Sequence, residues 1–127
     1  MAARLTLRVD LGPRQSIGPG KMRLLDAVAE TGSISSAGRA LGMSYRRAWM
    51  LIDDLNSSFR RKVVSTQLGG KEGGGAKLTP FGLELVKRYR AIEASAAKAT
   101  RAHVVFLARA LRTGSSAGAV KRTRLSR

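Results

Sequence analysis

The sequence predicts a mainly α fold with a small β wing: a winged helix-turn-helix that continues into a long C-terminal dimerisation helix. Three observations predict it. Residues 33–56 carry two short apolar stripes at helical spacing on either side of Gly42. A β-branched run from Val63 to Leu68 leads into a stretch at 69–75 with five glycines in seven residues. From Pro80 onward an apolar seam recurs at steps of four and three beyond residue 100. The organisation that follows is an N-terminal strand and loop over 1–20, the winged helix-turn-helix over 21–79, the long helix over 80–112 and a disordered basic tail over 113–127.

Taken in order, residues 4–11 alternate, with Leu5, Leu7, Val9 and Leu11 apolar and Arg4, Thr6, Arg8 and Asp10 polar. That is the period of a strand with one wet face. Gly12 to Gly20 contains Pro13 and Pro19 and reads as a loop. Lys21 to Glu30 places Met22, Leu25, Val28 and Ala29 on one helical face, and Thr31-Gly32 ends that helix. It packs across the next two helices to make a three-helix core.

The first helix of the motif carries Ile34, Ala37 and Leu41, and Gly42 stops it. Ser44 is placed to cap the second helix, over 45–56, whose inward stripe is Ala48, Leu51, Ile52 and Leu55. Two helices joined by so tight a turn need small residues where they cross, and Ala37, Gly38 and Ala48 supply them. After the run 63–68, Lys77-Leu78-Thr79 offers a returning strand, so the glycines form the tip of a hairpin, the wing.

Thr79 as N-cap and Pro80 as first residue start the long helix, because proline there lacks only an N–H that has no partner anyway. Its seam is Phe81, Leu85, Tyr89, Ile92, Ala96, Ala99, His103 and Phe106. A seam this long exceeds what one small domain covers, so a second copy is the expected partner, with Phe81, Leu85, Tyr89, Ile92, Ala96, Ala99 and Phe106 as the dimer interface. His103, the single histidine, is expected to pack there as a structural residue.

The charge balance points to a polyanion. Lys plus Arg number 24 against 8 Asp plus Glu, a net +16 on 127 residues. No acid follows Glu93, so half the net charge lies in the last 34 residues. The tail 113–127, rich in Gly, Ser, Thr and Arg, lacks the apolar content to fold, and either adds non-specific grip on phosphate or is a plain solvated terminus. There is no cysteine, which removes disulfides and thiolate sites. No signal peptide and no apolar run of the ~18 residues a membrane span needs is present. The expectation is a cytoplasmic, nucleoid-associated protein that meets no membrane.

Recognition helices present their first turns to the major groove, where the base edges carry a distinct donor and acceptor code. With Ala48, Leu51, Ile52 and Leu55 inward, about 100° per residue puts Arg46, Met50 and Asp53 opposite, with Arg47 and Trp49 on the shoulders. Arg46 is the expected base reader, since a guanidinium bonds bidentately to guanine O6 and N7. Arg47 and Tyr45, with Ser33 and Ser35 at the start of the preceding helix, are candidates for phosphate. Met50 either touches a thymine methyl or packs; Trp49 reads as a structural anchor. Asp53 and Asp54 are expected to pair with Arg60 or Arg61. Lys71 on the wing and Lys77 at its base are further backbone contacts.

Catalytic readings fail on the residues. A Walker loop needs glycine where Ser65 stands and Ser or Thr where Glu72 stands, and a dinucleotide fingerprint starting at Gly73 needs glycine at Leu78. The carboxylates are scattered, and no Ser-His-Asp set or metal spacing can be assembled. The expectation is no enzyme, no cofactor and no metal.

Residues 17–106 resemble the N-terminal DNA-binding domain of ModE-type molybdate-responsive transcription regulators, itself similar to the winged helix-turn-helix of LysR-type regulators. The residues that carry the resemblance are Gly32-Ser-Ile-Ser, Ser44-Tyr45 with Ala48-Trp49, Gly69-Gly70-Lys71, the glycine run to Ala76, and Leu78-Thr79 with Gly82. The resemblance implies a dimer joined through the helix after the wing, a role in molybdenum-linked gene control, and DNA contacts on Ser44, Tyr45, Arg46 and Lys71. Members of that family continue into molybdate-binding domains where this chain has a basic tail, so no molybdate binding by this chain is expected. The expected function is a homodimeric, sequence-specific regulator of double-stranded DNA, reading a two-fold symmetric site with half-sites about one helical turn apart. The alternative is a sequence-neutral nucleoid-architectural or RNA-binding basic protein, which steep salt dependence without sequence preference would reveal.

Overall fold

The structure is a computed structural model, and it describes residues 3–67 and 75–112. The chain divides into two units, Thr6–Ser95 on the one hand and Met1–Leu5 with Ala96–Arg127 on the other. Its elements are β1 (Val9–Asp10), β2 (Ser16–Ile17), α1 (Pro19–Thr31), α2 (Ile34–Ala40), α3 (Tyr45–Ser58), β3 (Val64–Gln67), β4 (Gly75–Leu78) and α4 (Pro80–Arg109). Lys71, most of the glycine tip and the tail 113–127 lie outside the described residues.

The N-terminal strand is shorter than the alternation suggests. Only Val9 and Asp10 pair, antiparallel, with Ile17 and Ser16. A strand needs a hydrogen-bonding partner, and the segment between Pro13 and Pro19 offers just two residues before α1 begins; within it Leu11 N–H donates to Gln15 O at 2.8 Å. Leu7 and Val9 still pack on the core, whereas Leu5 and Leu11 are exposed. The loop expected over 12–20 therefore contains β2 and the start of α1.

Helix α1 begins at Pro19, two residues before the expected Lys21, because proline is well suited to the first helical position. It buries Met22, Leu24, Leu25, Ala27 and Val28, while Ala29 is exposed. The face is wider than a single stripe because α1 packs against both α2 and β4. Gly32 closes it in the left-handed region, its N–H donating to Val28 O at 2.8 Å.

Between α2 and α3 the chain turns at Gly42, whose φ of 71° strains any side chain. The two helices meet at Gly38 and Ala48, both buried, so closely that a Cβ on Gly38 would lie 2.8 Å from the Ala48 Cβ. Ile52 and Leu55 continue the buried side of α3.

The wing is an antiparallel pair with Val64 opposite Leu78 and Ser65 opposite Lys77. Gly75 belongs to β4, paired with Gln67, and not to the tip. Thr79 joins the wing to α4: its N–H donates to Val63 O at 2.9 Å, and its Oγ1 caps α4 by accepting the Gly82 N–H at 2.9 Å. A Cβ on Gly82 would overlap the Val63 carbonyl.

The first turns of α4 do not form the expected dimer seam. Leu85 and Tyr89 are buried in the core of the unit Thr6–Ser95, and Phe81 packs on that core against the Phe59 ring at 5.3 Å. Leu85 and Tyr89 are spent on the core of their own unit and are not open to a second copy, while Phe81 is half-buried. Tyr89 donates its hydroxyl to Leu7 O at 2.7 Å, and burial pushes its pKa above the usual tyrosine range. The neutral phenol is thus the folded form, and the stability it contributes is full below the ordinary tyrosine pKa and is lost as the pH rises from there through the raised value. In the second unit, Val105, Phe106, Leu107 and Leu111 are exposed, Phe106 at 71%, and so is His103, which, contrary to expectation, is not packed among the described residues.

Gly82→Ala is expected to destabilise by about 1–3 kcal/mol, because a rigid backbone carbonyl cannot move aside. Gly20→Ala, in open space within α1, is expected to be neutral or stabilising by up to about 1 kcal/mol. Thermal unfolding of the two variants checks the contrast.

Candidate nucleic-acid interface

The outward side of α3 is built by capping and packing. Ser44 stands in extended conformation and its Oγ accepts the Arg47 N–H at 3.0 Å. This cap lets the helix start at Tyr45 and leaves the hydroxyl proton of an exposed residue to donate outward. Burial of Ala48, Ile52 and Leu55 then sets the rotation of the helix. Tyr45, Arg46, Arg47, Met50, Asp53, Asp54 and Ser57 are exposed, and at about 100° per residue Arg46, Met50, Asp53 and Ser57 form the middle of that arc. Arg47 lies on one flank with Asp54; Tyr45, Trp49 and Asn56 lie on the other.

Among the described residues neither Arg46 nor Arg47 joins an ion pair. Two unneutralised guanidiniums at the first turn of a helix are unfavourable for that helix, since its N-terminal dipole end is positive. They are suited to an anion brought from outside. Asp54 does not pair with Arg60 or Arg61 as expected: it takes Lys21 of α1, with Nζ 3.1 Å from Oδ2, while the same ammonium donates to Ser16 O at 2.8 Å. Arg60 and Arg61 lie past Phe59, where the chain has become extended, and the Arg61 guanidinium sits over the Phe81 ring at 5.1 Å. Asp53 makes no ion pair among the described residues and shares the arc with Arg46.

Trp49 is half-buried and packs on the core, as an anchor does, with the exposed Tyr45 edge-on to it at 6.2 Å. Its Nε1 is buried and has no hydrogen-bond partner among the described residues. Ser33 uses its Oγ to cap α2, accepting the Ser36 N–H at 3.1 Å, and Ser35 is half-buried in the same turn. The capping leaves fewer free N–H groups at this helix start than the sequence alone suggests. Lys77 is exposed on β4, on the hairpin face it shares with Ser65 and Gln67. That face lines a cleft of about 160 Å³ with Gly32, where Ala76 N–H donates to Gly32 O at 2.9 Å. Ser33 is the next residue, so the middle of β4 and the start of α2 are neighbours. Lys71 lies outside the described residues.

One residue of this region escaped the sequence reading. Asn56, on the wing-side flank of α3, accepts the N–H groups of Val63 and Val64 at Oδ1, at 2.7 and 3.1 Å, and donates Nδ2 to Val64 O at 3.1 Å. A polar residue off the apolar stripe near a helix end gives no signal of this in sequence. Among the described residues no cluster of His, Asp and Glu is placed to hold a metal ion, and no helix is long and apolar enough to cross a membrane.

Residues 20–83 match the model of the family described as bacterial regulatory helix-turn-helix protein, lysR family. The chain belongs to this family. The matched span of this lysR-family member runs from α1 through the wing into the first turn of α4. It is 46% identical over 82 residues to the molybdenum-pterin-binding protein MopB of Rhodobacter capsulatus, covering 65% of this chain and 30% of the relative. It is 37% identical over 91 residues to the molybdenum transport protein ModE of Azotobacter vinelandii, covering 72% and 33%. The DNA-binding transcriptional dual regulator ModE of Escherichia coli (strain K12) is 36% identical over 89 residues, covering 70% and 34%. The ModE-type resemblance read from the motifs is thus matched by relatives of that name, of whose length this lysR-family chain spans about a third. Its fold is also that of the crystal structure of a CbnR_DBD–DNA complex, with a TM-score of 0.52 and 18% identity over 68% of this chain and 95% of that one.

Ser44→Ala removes the α3 cap and is expected to lower stability by about 0.5–2 kcal/mol. Urea unfolding with an unchanged m-value checks that the loss is local to the cap.

Proposed function

We propose that this lysR-family chain is a sequence-specific, DNA-binding transcription regulator that works as a homodimer on a two-fold symmetric site, in molybdenum-linked gene control. The observation that carries the reading is the exposed arc of α3, with Arg46 and Arg47 unneutralised at its first turn. In this reading α3 enters the major groove and Arg46 donates both arms of its guanidinium to guanine O6 and N7, a contact worth about 1–3 kcal/mol of discrimination. Met50, further along the arc, meets a thymine methyl. Ser44, Tyr45 and Arg47 hold phosphates beside the groove, as do Ser33 and Ser35 at the start of α2. Lys77, with Lys71, contacts the backbone from the wing and adds affinity without reading sequence. The chain acts by binding and not by catalysis.

Ile92, Ala96, Ala99 and Phe106 remain as the surface for the second copy. The support is physical: Ile92 and Phe106 are exposed, and the stretch Val105–Leu111 leaves four large apolar side chains in solvent, more than a monomeric helix end commonly carries. The molybdenum link rests on the names of the relatives and on the shared motifs.

Arg46→Ala is expected to relax base preference at one position of each half-site, while Lys77→Ala weakens binding evenly across sequences and lowers the salt slope by about 1. A binding-site selection followed by salt titration separates the two, and the reverse pattern rejects the assignment. Steep salt dependence with no preferred sequence in the wild-type protein points instead to the architectural alternative. Phe106→Asp is expected to shift the protein from dimer to monomer in sedimentation at micromolar concentration; an unchanged dimer places the interface elsewhere.

A further inference from the structure

We propose that Asn56 is a positioning residue that couples the wing to the recognition helix, so that Lys77 reaches the DNA backbone only while Asn56 holds the root of β3. The proposal rests on the DNA-binding reading above and adds a residue to it.

The geometry is that of a substitute strand. A carboxamide carries one carbonyl and one N–H donor set, the same pair of groups a peptide unit presents along a strand edge. Val64 begins β3, is paired on one side with Leu78 of β4, and among the described residues has no third strand beside it. Asn56 fills that place, taking both the N–H and the carbonyl of Val64, and the Val63 N–H as well. Three backbone groups of the wing root are thereby bonded to one side chain of α3.

The position of that side chain matters. Asn56 lies ten residues after Arg46 on the same rigid helix, about 15 Å along its axis, and about 80° round from it. The arc that faces the bases and the point that fixes the wing are therefore parts of one body. Among the described residues the other hydrogen bonds at the hairpin do not reach α3: Ala76 N–H donates to Gly32 O at the end of α1, and Thr79 closes the base of the hairpin itself through its N–H to Val63 O and its Oγ1 to Lys62 O. Buried Val63 and Val64 hold it against the core, but a hydrophobic contact sets no direction. Without Asn56 the hairpin keeps its place in the fold and loses its fixed angle to α3.

Two measurements test this. In the free protein, residual dipolar couplings give the hairpin orientation against α3 without any DNA; Asn56→Ala is expected to change it and to expose the Val63 and Val64 amides to faster hydrogen exchange. Asn56→Asp keeps an acceptor for both amides and is expected to restore their protection in part, which guards against a poorly folded alanine variant. On DNA, Lys77→Ala is expected to lower the salt slope by about 0.9 in the wild-type background and hardly at all in the Asn56→Ala background. Base preference at the Arg46 position is expected to survive Asn56→Ala. Unchanged couplings, or an equal effect of Lys77→Ala in both backgrounds, overturns the proposal. Absence of any sequence preference in the wild-type protein overturns the DNA reading instead, and the couplings still decide whether Asn56 orients the wing.

Discussion

The close approach of α2 and α3 at Gly38 and Ala48 is the constraint on which the rest of the helix-turn-helix depends. With no side chain on Gly38, the Ala48 Cβ comes within contact of the α2 backbone, and the two axes are held at the separation that small residues allow. That contact fixes which side of α3 is inward. Once Ala48 is buried, Ile52 and Leu55 follow it inward and Arg46, Met50 and Asp53 are turned to solvent. Even a methyl group added at Gly38 would need the helices to part, and the exposed arc would rotate with them. The outward chemistry of α3 is thus decided on its inward side.

Electrostatics is arranged around the same surface. Asp10, Asp26, Asp54, Glu84 and Glu93 each have a basic partner, on Arg8, Arg90, Lys21, Arg88 and Arg90 in turn. Apart from the mostly covered Lys21, the partners stand at the surface, where water screens them, so the pairs do little for the fold as such. Their consequence is one of placement. Four of these five acids lie outside α3, and on α3 itself neither Arg46, Arg47 nor Asp53 joins an ion pair among the described residues. At the first turn of α3 two guanidiniums without ion pairs among the described residues stand beside the hydroxyls of Ser44 and Tyr45, a local grouping of positive charge with hydrogen-bond donors.

The long C-terminal helix shows how one periodic pattern can serve two ends. Its seam has a single period from Phe81 to Phe106, yet Leu85 and Tyr89 complete the core of their own unit while Phe106 and its neighbours are exposed. Periodicity says that a face is apolar and is silent on what covers it. Tyr89 is fully buried in that core, and its hydroxyl donates to the Leu7 carbonyl, a partner 82 residues earlier in the chain. No local pattern announces such a contact. The N-terminal alternation has the same lesson, since it named the wet and dry faces of residues 7 and 9 correctly but overstated the strand, whose length was limited by what could pair with it.

By itself the sequence determined the features that are local in origin. The caps at Ser44 and Thr79, the turn at Gly42, the helical periods and the excess of cations each follow from residues within one or two turns of each other, where backbone geometry leaves few alternatives. The order of elements and the identity of the outward arc were legible for that reason. Only the tertiary structure decided the partners: Lys21 for Asp54, Phe81 for Arg61, the wing root for Asn56 and the core for Leu85 and Tyr89. Each of these depends on which distant segments meet, and that is set by packing of the whole unit, a long-range result that no window of sequence contains.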